Sequence, residues 1–533
     1  MSDFDVIVIG AGNAALCAAI AATENDARVL VLEKAPRHMR GGNTYWSGGM
    51  FRFAYGDRDE LDRLVPGTVA AGGVLETAEP YGIADFRNDL TSVTNGRADP
   101  VLARLVVEGS MDAMIWLREA CHVEMEPALS IAAVRKGDRY SWLRGLAVRA
   151  ASGGIGLSES LFRHCESIGV EISYDTAALS LSIDRDGSVD GVRVRTEGNA
   201  ETLRAKSVIL ACGGFEANVE MRARYIGSLI GAATVRGTPY NQGDGLRMAL
   251  DVSALPAGQW SGCHAAPISA DWGEFAPRDK TDQSNRISYP FGVMINRKGL
   301  RFVDEGKGTH LSTYAEYGRA ILGQPGSTVY QVFDAVTAPL IDRAYGSSIP
   351  VVAETLEGLV DLLDVDDKDR ALATLKAFNA AARSHPDGSD PLSGFDPSRL
   401  DGLATLDLAP NKTNWAMPLL APPFSAYTAT GGITFTFGGL RINEHAGVMG
   451  TDWRPIRGLY ACGEIVGGLF HDSYPAGTGL TAGAVIGRIA GRNAALRTPA
   501  LGGHAWRSGG DGLSSSVDGS RPLRAGAMEG WVP

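Results

Sequence analysis

The apolar positions at the start of the chain fall into one short, dense pattern. Phe4-Asp5-Val6-Ile7-Val8-Ile9 is a β-branched run of the kind that forms a strand buried on both faces. Gly10-Ala11-Gly12-Asn13-Ala14-Ala15 interrupts it, and Leu16 to Thr23 is Ala-rich and helical in character. Arg28-Val29-Leu30-Val31-Leu32-Glu33 is a second buried strand. The spacing predicts a βαβ unit with a GxGxxA turn and an acid at the end of the second strand. Gly10 permits the tight turn, Gly12 lets backbone approach a pyrophosphate, and Ala15 is small enough for helix and strand to pack closely. The helix N-terminus then faces the phosphates with free N–H groups and a positive dipole end. Glu33 is placed to accept hydrogen bonds from ribose hydroxyls. Together these positions describe a dinucleotide site.

Further along, Gly41-Gly42-Asn43-Thr44-Tyr45-Trp46-Ser47-Gly48-Gly49 is a polar, glycine-dense loop. Residues 99–122 and 149–168 carry amphipathic helical periodicity. Residues 170–211 alternate short strands with Asp-Gly turns and end in the apolar run Ser207 to Ala211, before Cys212-Gly213-Gly214. A short helix follows Gly243-Asp244-Gly245. From about 259 to 425 the texture changes: aromatics, Pro, Asp and His interleave with helices near 309–322, 354–364 and 367–384. Residues 426–498 return to strands, glycine turns and a last helix, Leu480 to Leu496. The expected organisation is a dinucleotide-binding domain in two pieces, 1–258 and 426–498, with a capping domain at 259–425 inserted between them. Residues 499–533 are Gly/Ser/Pro-rich and are expected to be a loosely ordered tail.

Composition narrows the function classes. The chain has 67 glycines in 533 residues, well above the usual ~7%, and no three-residue period that would indicate collagen. The excess therefore serves tight turns and close backbone approaches. The hydrophobic share of 44% excludes a disordered protein. A net charge of −11 leaves no electrostatic footprint for nucleic acid. The six cysteines have no CxxC spacing and the histidines no HExxH spacing, so no metal, iron–sulfur or haem site is expected. The N-terminus lacks a basic region and a small-residue cleavage site, and no apolar run is long enough for a membrane span. A cytoplasmic location is expected.

The ordered motifs resemble those of the succinate dehydrogenase/fumarate reductase flavoprotein family. They are the GxGxxA unit, the Gly41–Gly49 loop, Ala211-Cys212-Gly213-Gly214-Phe215, Gly299-Leu300-Arg301-Phe302-Val303-Asp304-Glu305 and Gly458-Leu459-Tyr460-Ala461-Cys462-Gly463-Glu464. Tyr289 to Gly292, Thr434 to Leu440, Gly463 to Phe470 and Tyr474 to Leu480 are similar to the tricarballylate dehydrogenase-like group within it. The resemblance implies an α/β fold, a Rossmann-like FAD-binding domain with an inserted α+β cap. It places FAD contacts on Ala11, Gly12, Asn13, Ala14, Glu33, Lys34, Asn43, Thr44, Gly48, Gly49, Ala211, Gly213, Asp244, Gly463, Glu464, Gly479 and Leu480. Backbone N–H groups near Gly48 and Gly49 would hydrogen-bond flavin N5, and the helix starting at Gly479 and Leu480 would stabilise charge on the reduced ring. The loop Gly42-Asn43-Thr44 holds no histidine, so non-covalent FAD is expected.

The resemblance also implies the chemistry: hydride exchange at flavin N5 with a carbon beside a carboxylate or keto group, and proton transfer at the neighbouring carbon. Fumarate reductases carry an arginine just after the Arg-Phe-Val motif; here His310 stands nearest. Their His-His-Thr reads Thr434-Phe435-Thr436, and their Arg-Leu-Gly-Gly reads Tyr474-Pro475-Ala476-Gly477. His310 and Tyr474 are therefore the candidate proton-transfer residues, and His264, Arg286, Tyr289, Thr436 and His471 the candidate substrate contacts. Arg286 would clamp a carboxylate by bidentate pairing. A 3-ketosteroid-type dehydrogenase acting on a neutral cyclic carbonyl is the alternative enzyme, and a flavin-bearing electron-transfer module or a nucleotide sensor the alternatives of other kinds. Electrons are expected to pass to a separate acceptor, a quinone, an electron-transfer protein or oxygen.

Overall fold

In the computed structural model, which describes residues 3–136, 139–383 and 399–496, the opening strand Phe4–Ile9 lies at the centre of a parallel sheet. The expected tail falls outside the described residues. On one side Val6 sits opposite Val29 of the strand Val29–Leu32, and on the other opposite Ser207 of the strand Asn199–Leu210. Pro455–Ala461 and Glu171–Ser173 extend the parallel arrangement outward. Val6, Ile7 and Val8 are fully buried, as unbroken apolar strands between two covered faces should be.

The helix Asn13–Thr23 follows the first strand and packs on the closing helix Thr478–Leu496. The seam is built from small residues. A Cβ at Gly487 would lie 2.6 Å from the Ala14 carbonyl oxygen, and one at Gly491 only 2.1 Å from that of Ala18. The close approach aligns the two N-termini, and Asn13 Nδ2 donates to the Leu480 carbonyl at 2.8 Å.

A second sheet forms the cap. Its backbone is a long antiparallel pair, Pro256–Ser269 with Phe424–Leu440, in which Pro256 faces Leu440 and Ser269 faces Ala429. Thr328–Phe333 and Val293–Asn296 continue it, while Thr234–Val235 and Val351–Ala353 pair with the same long strand. The boundaries read near 258/259 and 425/426 fall inside the two long strands. Leu440 then bridges to Val466 and Ala254 to Gly450 in the body built on the parallel sheet. The cap has its own core of Val293, Ile295, Val332, Leu359, Leu375 and Phe378. Its Arg-Phe-Val motif is structural: Arg301 pairs with Glu305 out of solvent, and Glu305 Oε1 accepts the Met294 N–H at 2.9 Å.

The fold is thus α/β, a Rossmann-like domain with an inserted α+β cap. Predicted helices are found at Pro100–Glu119, Gly153–Ser167, His310–Leu322, Leu356–Leu362 and Lys368–Arg383. The helices Arg58–Leu64 and Ile83–Val93 were not expected. The first starts at Asp57, whose side chain accepts the Glu60 N–H, a local cap that the pattern of apolar residues alone does not reveal.

Candidate active site

A cavity of about 870 Å³ runs between the parallel sheet and the cap. Every residue expected to contact the cofactor lines it except Gly49. Gly49 has a φ of +69°, and a Cβ there would lie 2.6 Å from the Gly153 Cα, so it seats the loop on the helix Gly153–Ser167.

The cavity wall fits FAD. The helix Asn13–Thr23 begins at Gly12, which has no side chain to cap it, and apart from the Asn13 N–H, which donates to Thr44 Oγ1 at 3.0 Å, its first turn offers N–H groups to an anion. Gly10 has a φ of +105°, and a Cβ there would lie 2.4 Å from the Ala211 carbonyl oxygen, so only glycine allows these strand ends to meet. Gly479 lines the cavity at the start of the closing helix, and a Cβ on it would meet nothing within 4 Å; it would stand in the cavity itself. Glu33 is buried against the wall, accepts the Ala35 N–H at 2.8 Å, and has its pKa raised by burial. Next to it, Lys34 Nζ and Asp244 Oδ2 are 2.5 Å apart. A glycine-floored cleft with two helix N-termini and a buried acid suits a long dinucleotide.

Asn43 has a second duty. Its Nδ2 donates to Glu216 Oε1 at 2.5 Å and to the Thr434 carbonyl at 2.7 Å, and its Oδ1 accepts the Thr238 N–H at 2.8 Å. The side chain ties the cofactor loop to the cap strand. Glu216 is fully buried; its Oε1 also accepts from Asn241 Nδ2, and its Oε2 has no partner. Burial and the adjacent Glu464 carboxyl push the Glu216 pKa well up. Glu216 therefore holds a proton. Glu464, which lines the cavity, accepts the Thr436 N–H at 2.8 Å.

The proton on Glu216 links stability to pH. In the unfolded chain a glutamate loses its proton above about pH 4.3, while the folded chain keeps it to higher pH. Between those points the native state binds more protons than the unfolded one, so stability is lost as pH rises, by at most about 1.4 kcal/mol per pH unit. Gln at this position stays neutral and preserves the amide contacts at Oε1. Glu216→Gln should therefore gain in Tm relative to the parent as pH rises above about 4.3, until the folded-state proton is lost. Parallel Tm–pH curves for the two proteins would show that no proton is held here.

At the reacting end the wall is aromatic. Tyr314 and Tyr474 both line the cavity, and the Tyr314 hydroxyl donates to the Tyr474 oxygen at 2.7 Å. Phe435 lies 4.9 Å from the Tyr474 ring and Phe470 5.4 Å, centroid to centroid. His264 packs behind them, with ring centroids 4.6 Å from Tyr314 and 4.8 Å from Tyr474. It is fully buried with both ring nitrogens unpartnered, and burial, with the nearby Arg236 and Arg319 charges, drives its pKa well down. His264 is neutral and does not line the cavity.

The other expected substrate contacts divide. Thr436 lines the cavity. Arg286 does not: it is fully buried, with Nη1 donating to the carbonyls of Asn285 and Ala344 at 2.8 and 3.1 Å. Tyr289 is in the core, its hydroxyl 2.7 Å from Thr313 Oγ1. His471 faces Asp472 at 3.1 Å, away from the lining. His310 opens the helix His310–Leu322 outside the lining, and burial lowers its pKa to about 4. Tyr314, one helical turn on, takes the cavity-facing place. Arg236, Phe435 and Phe470 complete the wall, and none was singled out as a site residue from the sequence.

Comparison with known proteins agrees with this geometry. A family model described as "FAD binding domain" matches residues 5–480. The chain belongs to this FAD-binding family. It is an FAD-dependent oxidoreductase. The expected kinship with succinate dehydrogenase and fumarate reductase flavoproteins is borne out by the relatives. The chain is 27% identical over 511 residues to an NADH:fumarate oxidoreductase of Klebsiella pneumoniae, covering 93% of this chain but 48% of that protein, so it spans about half of that relative's length. It is 26% identical over 570 residues to a 3-oxosteroid 1-dehydrogenase of Mycobacterium tuberculosis, covering 91% of this chain and 96% of the other. The open conformation of a flavocytochrome c3 fumarate reductase superposes with a TM-score of 0.71 at 25% identity, covering 93% of this chain and 78% of that one. Among the described residues no helix is long and apolar enough to cross a membrane, and no group of side chains could hold a metal ion.

Proposed function

We propose that the protein reduces, or in reverse desaturates, a C–C bond beside a carboxylate or keto group, with Tyr474 as the proton donor and Tyr314 as its hydrogen-bonding partner. Bound FAD, held without a covalent link, supplies the hydride chemistry. The observation that carries the proposal is the tyrosine pair on the cavity wall. Burial raises the pKa of both hydroxyls, while for Tyr474 the Tyr314 hydrogen bond and the Arg236 and Arg52 charges act in the opposite direction. Both are therefore protonated at neutral pH. The Tyr314 proton is engaged by Tyr474, which leaves the Tyr474 proton free to move toward a substrate carbon. Such a loaded acid suits the reductive direction, and the same hydroxyl suits a carbonyl hydrogen bond.

A second reading, a 3-ketosteroid-type dehydrogenase, is favoured by the neutral tyrosine pair and by the named activity of the Mycobacterium relative. In the reductive direction electrons would come from a separate electron-transfer protein or a quinol, and in the reverse direction they would leave to a separate protein, a quinone or oxygen.

Purified holoprotein should be assayed against unsaturated carboxylic acids with a reduced viologen, and against tricarballylate, saturated acids and cyclic ketones with a dye acceptor. Turnover of an acid in either direction supports the first reading, and turnover of cyclic ketones alone the second. Failure of every substrate to change the flavin redox state would remove both.

A further inference from the structure

The cavity wall carries one buried positive charge with no negative partner. Arg236 is 8% exposed and lines the cavity. Its Nε donates to Thr434 Oγ1 at 3.3 Å and its Nη1 to the Trp46 carbonyl at 3.0 Å. Among the described residues, Nη2 has no hydrogen bond and the guanidinium no ion pair. The other lining cations differ. Lys34 is paired with Asp244 and Arg149 with Glu126, while Arg343 is exposed at the rim. A guanidinium taken out of water without a counter-ion is unfavourable unless something anionic meets it.

The local backbone is shaped around this group. Along the long strand pair, His264 faces Phe435 and Ala265 faces Ile433, so Thr434 is the extra residue of a bulge. Bulges re-aim side chains, often beside active sites. This one lets Thr434 meet Arg236 while the adjacent Phe435 enters the aromatic wall beside Tyr474. Neighbouring residues of one strand, Thr434 and Phe435, thus meet a cation on one side and an apolar, flat-sided box on the other.

We propose that Arg236 receives the one carboxylate of a monoanionic substrate, whose flat unsaturated body lies against Phe435, Phe470 and Tyr474. This deepens the proposed function and rests on it for the place of the reacting bond. It also sets the substrate class. A di- or tricarboxylate would need further buried unpaired cations, and the cavity has none among the described residues.

Binding tests this without reference to turnover. Holoprotein is titrated with benzoate, trans-cinnamate, sorbate and fumarate, and with the neutral amides of the first three, following the flavin absorbance and the heat of binding. At least one monocarboxylate should bind about tenfold or more tightly than its own amide, and more tightly than fumarate. Arg236→Gln should lose roughly 10- to 100-fold in carboxylate affinity and nothing in amide affinity, and Arg236→Lys should recover part of it. FAD content and the ligand-free spectrum should match the parent. The proposal is overturned if no acid outbinds its amide in the parent, if fumarate binds best, or if the variant keeps the preference. A variant that loses FAD or alters its spectrum before ligand is added also overturns it, because Arg236 then serves the flavin. The parent comparison stands even if a variant fails to fold. Acids that bind through Arg236 yet are never turned over would sink the proposed function and leave this site in place.

Discussion

Tyr474→Phe is expected to slow turnover by about 10²- to 10⁴-fold, the range lost when a positioned general acid is removed. The substitution deletes one oxygen and keeps the ring. Contacts with Phe435, Phe470 and His264 persist, at centroid separations of 4.9, 5.4 and 4.8 Å in the parent. The aromatic wall and the FAD cleft should therefore remain, and FAD content and reduction by dithionite should be those of the parent. Tyr314→Phe removes the proton that Tyr474 accepts, but not the proton it gives. Its effect should be smaller, on the order of tenfold, by analogy with the loss of one buried hydrogen bond. The ordering of the two variants is the informative part. If Tyr314→Phe were the slower enzyme, Tyr314 would be the residue that meets substrate. Rates near the parent for both would remove the tyrosine pair from the reaction. Because burial raises both hydroxyl pKa values, activity in the reductive direction should be flat through neutral pH and fall only on the alkaline side.

The cofactor half of the site was legible because its physics is local. Gly10, Gly12 and Glu33 sit in one βαβ unit, where turn, close approach and acid are fixed by short-range spacing. The reacting half depends on how the cap lies on the body, which no local pattern encodes. The helix beginning at His310 was expected, and the residue that faces the cavity is Tyr314, four positions on and on the same helical face. That one-turn offset is a matter of how the helix is seated; Gly318 lets it lie within 2.3 Å of the Ala265 carbonyl oxygen, measured from a Cβ that glycine lacks. Arg286 was expected to clamp a carboxylate by bidentate pairing. Its Nη1 is instead engaged by backbone carbonyls of its own loop and of Ala344, which only tertiary structure brings together. Arg236 left a fainter signal, an arginine just ahead of the Gly243-Asp244-Gly245 turn, and its meaning came from the bulge at Thr434.

Gly479→Leu should yield a folded protein that no longer retains FAD. Gly479 is the second residue of the closing helix Thr478–Leu496, and it is one of the few cavity-lining glycines where a Cβ would touch no protein atom within 4 Å. Its φ is not in the left-handed region, so a side chain causes no backbone strain there. Leucine is also a better helix former than glycine by roughly 0.5–1 kcal/mol. The apoprotein should thus melt at or slightly above the Tm of the parent stripped of FAD. The added isobutyl group, however, stands where the cofactor must pass, and the cleft has no neighbour to move aside. FAD affinity should fall by at least about 100-fold, and the purified variant should be colourless. The holo parent gains stability from bound FAD by mass action, and the variant should gain none on adding FAD at concentrations that saturate the parent. A yellow variant with a parent-like FAD content would mean that the open space at Gly479 is not part of the cofactor path. A variant that unfolds would mean that the helix start is held by contacts other than those seen. Only the folded, colourless outcome fits a cleft whose glycine is kept for the ligand and not for the fold.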